Sequence, residues 1–145
     1  MVSCLNDHRV TLLGKQYLPL MVGGMGTNIS TADMVLAVEK LGGIAHLSDA
    51  MLIDVADRTF GTHFVAEKAT QFIRFRASED KTPIQFDLEA LAKATKMYVE
   101  NVMKKATGKG MVFMNCMEKL TMNDSLATLK VRLNAALDAG INVRK

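Results

Sequence analysis

Leu18-Pro19-Leu20-Met21-Val22 is a short apolar run that stops at Gly23-Gly24-Met25-Gly26. A run of that length bounded by glycines reads as a strand buried on both faces. Beyond Thr27-Asn28-Ile29, Ser30 is suited to cap a helix, and Asp33 to meet the exposed N–H groups of its first turn. Met34, Val35, Val38 and Leu41 then recur at helical spacing, and Gly42-Gly43 supplies a C-terminal stop. Ile44-Ala45-His46-Leu47-Ser48 follows at once as a second apolar run. Strand, glycine turn, capped helix, glycine stop and strand make a βαβ unit, whose two strands should be parallel with a right-handed crossover.

The same alternation continues downstream. Asp87 caps a helix predicted over Asp87–Thr107, with Leu88, Leu91, Ala92, Thr95, Tyr98, Val99, Val102 and Met103 on one face and Gly108 beyond its end. Met111–Asn115 is the third strand, after Leu18–Val22 and Ile44–Ser48. Thr121 or Asn123 opens a helix reaching Ala139, with Leu126, Leu129, Leu133, Ala136 and Leu137 as its inward face. Ile141-Asn142-Val143 begins a fourth strand. The stretch of about 49–83 is too long for a plain connection and reads as an inserted segment. It holds short helices near Met51–Asp57 and Val65–Phe75 and a turn around Ser78–Pro83. These elements predict α/β architecture with a parallel sheet. They amount to about three and a half strand–helix units, the N-terminal portion of a (β/α)8 TIM barrel, a fold of about 250 residues. Residues 1–145 are expected to form one partial barrel domain, whose unfinished edge invites self-association.

Composition narrows the partners. The 145 residues are 49% hydrophobic and 23% charged, which is globular rather than disordered composition. A net charge of +3 is too small and too dispersed for a nucleic-acid footprint. Two cysteines, Cys4 and Cys116, make no disulfide framework, which favours a reducing compartment. No apolar stretch approaches the roughly 20 residues of a membrane span, and MVSCLNDHRV lacks the order of a signal peptide. The expectation is a cytoplasmic protein with no membrane partner.

Barrel active sites lie at the C-terminal ends of the strands. Gly23-Gly24-Met25-Gly26 lets a flat ring or a phosphate approach the backbone, and it serves equally well as a tight strand-to-helix turn. Asn115, polar at the end of an apolar strand, can hydrogen-bond a heteroaromatic ring or tie down the next loop. His46 lies inside an apolar run, where packing with a backbone partner is the commoner role than acid–base chemistry. Asp49 reads as a loop or helix cap, and Cys116, with no base in view, as packing. Asp54, Asp57 and His63 lack metal-ligand spacing and read as a solvated face. The basic residues between Lys68 and Arg76, interleaved with Phe72 and Phe75, read as an amphipathic surface helix.

Leu18–Gly26, Ile29-Ser30-Thr31-Ala32-Asp33-Met34, Ala37-Val38 and Gly42-Gly43-Ile44 together resemble the opening of the nitronate monooxygenase (2-nitropropane dioxygenase) family. Members are FMN-dependent TIM barrels that oxidise alkyl nitronates with O2. The likeness extends across the regular elements, and flavin-dependent enoyl-acyl-carrier-protein reductases share much of the opening motif. The resemblance implies FMN against Gly23, Gly24, Met25 and Gly26, with Asn115 contacting the ring. It assigns no catalytic residue and no metal ligand to this chain, because the family's catalytic histidine and FMN phosphate loops belong to later barrel segments. A reductase of enoyl thioesters and a non-catalytic remnant of a truncated gene are the alternatives it leaves.

Overall fold

A hairpin opens the fold: β1 (Val10–Leu12) pairs antiparallel with β2 (Lys15–Tyr17). The computed structural model describes residues 8–26, 29–74, 77, 79, 86–118 and 124–141. The hairpin turns through Leu13 (φ 52°) and Gly14 (φ 76°), the positive-φ pair of a tight two-residue turn. The sequence reading has no hairpin here, because Leu13-Gly14 lacks the Asn-Gly or Asp-Gly signature and Lys15-Gln16-Tyr17 carries no apolar alternation.

The remaining described elements are β3 (Met21–Val22), α1 (Ala32–Lys40), β4 (Ile44–Ser48), α2 (Leu52–Phe60), α3 (Phe64–Arg74), α4 (Leu88–Met103), β5 (Met111–Asn115) and α5 (Ser125–Asp138). The second sheet runs β3-β4-β5, and both pairings are parallel, as the βαβ reading requires. Two of its strands have the predicted bounds, while the first shrinks to Met21–Val22. Leu18 N–H still donates to Gly42 O (2.9 Å), and Leu20 O accepts from Ile44 N–H (2.8 Å). Pro19 between them has no N–H to extend the ladder.

Side chains alternate across this sheet. Ala45, Leu47 and Val112 face the helices, packing with Val35, Val38, Ala94, Tyr98, Val99, Val102, Ala136 and Ala139 in one core. Ile44 and Met111, at the N-terminal ends of their strands, face the other way and are covered by Tyr17 of the hairpin. Farther along, that second face opens: Met21 is 61% exposed, and His46, Phe113 and Asn115 are half-buried. The hairpin thus closes one end of a sheet face whose C-terminal end is uncovered.

Capping explains the helix starts. Asp87 accepts from Ala90 N–H (2.9 Å), as predicted. Thr31, not Ser30, caps α1 by accepting from Met34 N–H (3.4 Å). Asp57 accepts from Phe64 N–H (2.9 Å) and Val65 N–H (2.6 Å), so this acidic residue of α2 starts α3. The predicted turn at Ser78 and 80–83, the openers Thr121 and Asn123, and the strand residues after Ile141 lie outside the described residues.

Glu39 ties the N-terminal side together. It is 1% exposed at the end of α1. Its carboxylate accepts from Thr107 N–H (2.9 Å), Thr107 Oγ1 (3.1 Å) and Gly110 N–H (3.2 Å). Burial pushes this carboxyl up, but the donors from Thr107 and Gly110 outweigh it and hold it below its ordinary value. Gly110 permits the approach, since a Cβ there would stand 2.6 Å from Glu39 O.

The inward face of α5 differs from the predicted one. Thr128, Arg132, Ala135 and Ala136 are buried, whereas Leu126 (60% exposed), Leu133 and Leu137 face outward. The helix turns Arg132 inward, where carboxylate partners described next meet it.

Candidate functional site at the C-terminal edge of the sheet

The glycine turn is held by the serine that follows it. Ser30 Oγ accepts from Met25 N–H (2.7 Å) and donates to Gly23 O (3.3 Å). Ile29 N–H donates to Gly26 O (3.2 Å). Braced in this way, the turn reaches from β3 across the end of β4 to β5, two strand spacings or roughly 9–10 Å away. A Cβ on Gly24 would sit 2.5 Å from Asn115 Cγ and 2.6 Å from Asn115 Nδ2. The fold therefore brings together the two features singled out in the sequence. Gly24 is a glycine because Asn115 packs on it, and Gly23 and Gly26 face open space.

Asn115 shares its sheet face with Phe113, and Phe113 is in register with His46 on β4. The two rings stack with centroids 5.3 Å apart and planes at 20°. His46 Nδ1 lies 2.9 Å from Val22 O. This is the packed, backbone-bonded histidine that its apolar surroundings suggest.

Behind this edge lies a charge cluster that sequence reasoning missed. Asp49 is the residue after β4, and its N–H donates to Asn115 O (3.2 Å). Its carboxylate accepts from Met117 N–H (2.9 Å) and pairs with Arg132, which is 7% exposed. Arg132 also pairs with Glu118 and donates to Met117 O (3.0 Å). Asp49 thus grips the chain on both sides of Cys116. Burial pushes the Asp49 carboxyl up, against the opposing pull of Met117 N–H, Arg132 and the Cys116 thiol. Burial and the adjoining Asp49 carboxylate push the Cys116 thiol up to about 11, which makes it a poor nucleophile at neutral pH. The available signal was Arg132 itself, a lone arginine between Val131 and Leu133 on the apolar side of a helix.

The other candidates remain peripheral. Asp54 pairs with Arg58 four residues on, and Asp57 is occupied as the α3 cap. Among the described residues no group of three His, Cys, Asp or Glu could hold a metal. Lys68 Nζ lies 4.9 Å from the centre of the Phe86 ring, at the wall of a cavity of about 590 Å³ between α2, α3, α4 and α5. No helix among the described residues is long and apolar enough to cross a membrane.

A flavin makes two demands, for its ring and for its phosphate. Open backbone at Gly23 and Gly26, beside an Asn115 amide that no described residue hydrogen-bonds, fits the edge of a flat ring. For a phosphate, the Met25 N–H of the turn is already taken by Ser30. Comparison with protein-family models, curated proteins and solved structures gives no match to this chain.

Proposed function

We propose that this chain forms the first strand–helix units of a (β/α)8 flavoprotein of the nitronate monooxygenase type, in which FMN oxidises an alkyl nitronate with O2. The observation that carries the reading is the seating of the Gly23–Gly26 turn against Asn115, at the open C-terminal edge of an all-parallel sheet. That edge is where barrel enzymes place their chemistry. The hairpin under the opposite end of the same face is in keeping with a barrel floor, and the exposed leucines of α5 suit packing by a following helix.

FMN, when bound, supplies the redox chemistry. The chain's own part is to bind and orient: Gly23 and Gly26 admit the ring, and the Asn115 amide offers it a donor and an acceptor. Asp49 holds Asn115 in place through its N–H and through Met117. Loops after the seventh and eighth strands usually form the phosphate site of such barrels. Nitronate turnover therefore belongs to a barrel completed by further strand–helix units. The test is titration of the chain with FMN, followed by flavin fluorescence, alongside Asn115→Ala and Gly26→Val. Both variants should weaken binding several-fold, and Gly26→Val, at a position that faces open space, should do so with little change in melting temperature. Unchanged binding in both would overturn the reading.

A further inference from the structure

We infer that His46 is a further ligand-contacting residue of this edge, presenting Nε2 as a hydrogen-bond acceptor to an N–H on the rim of a planar heteroaromatic ring. The inference rests on the flavin reading above and adds one residue to the same site. A carbonyl oxygen can only accept, so the 2.9 Å contact with Val22 O puts the proton on Nδ1. In the neutral ring Nε2 then carries a lone pair. No described residue bonds that nitrogen.

The imidazole is also held in place. Val22 O fixes one edge and the Phe113 stack fixes the plane, so little rotational freedom is lost when a ligand arrives. Val22 is the residue before Gly23, and Asn115 lies two residues beyond Phe113 on the same sheet face. An acceptor nitrogen and a carboxamide therefore share the open face beside the glycine turn. An imide-type rim, in which an N–H stands next to a carbonyl, is the complement of that pair: the N–H toward Nε2, the carbonyl toward the Asn115 Nδ2–H. The isoalloxazine ring carries such a rim.

The experiment uses the intact chain and diethyl pyrocarbonate, which acylates an imidazole nitrogen bearing a lone pair, with mass spectrometry to locate the label. His8 and His63, both exposed, are internal controls. His46 should label in the free chain, and FMN should lower its labelling several-fold while His63 stays unchanged. His46→Phe, which retains a ring against Phe113, should weaken FMN binding at least fivefold. His46→Gln, which restores an acceptor near the Nε2 position, should recover most of the loss, which a merely structural role would not produce. Resistance of His46 to the reagent while His63 reacts would overturn the inference. So would undiminished labelling at FMN concentrations where fluorescence shows binding, or equal binding by the Phe and Gln variants. Absence of FMN binding by fluorescence would instead sink the flavin reading itself, and this inference with it.

Discussion

Gly24 and Glu39 are the two single residues on which the ends of the sheet depend. A methyl at Gly24 would collide with the Asn115 side chain near its own Cβ, where rotation cannot relieve the contact. Gly24→Ala should therefore cost about 1–3 kcal/mol, the usual penalty for overpacking. Gly26→Ala, facing open space at ordinary φ, should cost less than about 1 kcal/mol. Urea unfolding of both variants checks the contrast, and equal costs would contradict the Gly24–Asn115 contact. At the other end, the Glu39 carboxyl is held below its ordinary value by its donors, Thr107 and Gly110, despite burial. A carboxyl depressed in the folded state stabilises the fold above its unfolded value, and that contribution is lost as pH falls through the folded value. Glu39→Gln should therefore melt well below the parent protein at pH 7. The gap should narrow as pH falls below the reference value of 4.5. A gap independent of pH would show that the charge of Glu39 does not matter.

The elements differ in how far they could be read in advance. β4 and β5 carry apolar runs between glycines or polar stops, broken in β4 by His46, so their bounds follow from the sequence. α4 has Asp87 at its start and a continuous apolar face, and it begins where predicted but stops at Met103, four residues short of the predicted Thr107. α5 defeats the same reasoning. Hydrophobic spacing puts Leu126, Leu133 and Leu137 inside, yet the helix turns Arg132 inward because Asp49 and Glu118 come from distant positions to meet it. Such an ion pair is set by tertiary contact and leaves only a faint trace in local periodicity. Arg132→Met should cost about 3–5 kcal/mol at pH 7, since it leaves the buried Asp49 carboxylate without its cation and beside the partly buried Glu118. The cost should shrink in mild acid, because burial has already raised the Asp49 carboxyl and protonation removes its charge. Denaturant unfolding at pH 7 and pH 5 measures both. The outward leucines make a separate prediction. Replacing Leu126, Leu133 and Leu137 together by Ser should leave stability within about 1 kcal/mol and reduce self-association on gel filtration. A large loss of stability would place those leucines in the core after all.

For the molecule as a whole, the parallel β3-β4-β5 order follows from the βαβ pattern, while the hairpin under the sheet does not, because its turn lacks the usual residues. Half of the candidate site was legible in the same way. Gly23–Gly26 and Asn115 stand out as residues of the wrong polarity or size at strand ends. Their mutual contact, the bracing by Ser30 and the grip of Asp49 depend on chain crossings that spacing does not encode. The central claim is that this edge recognises a flavin by its ring alone, with the phosphate held elsewhere in a completed barrel. The most direct test compares FMN with riboflavin, which has the same ring and no phosphate, in fluorescence titrations of the 145-residue chain. The account predicts that both bind weakly and with the same affinity. FMN binding at least tenfold tighter than riboflavin, or no binding of either, would contradict it.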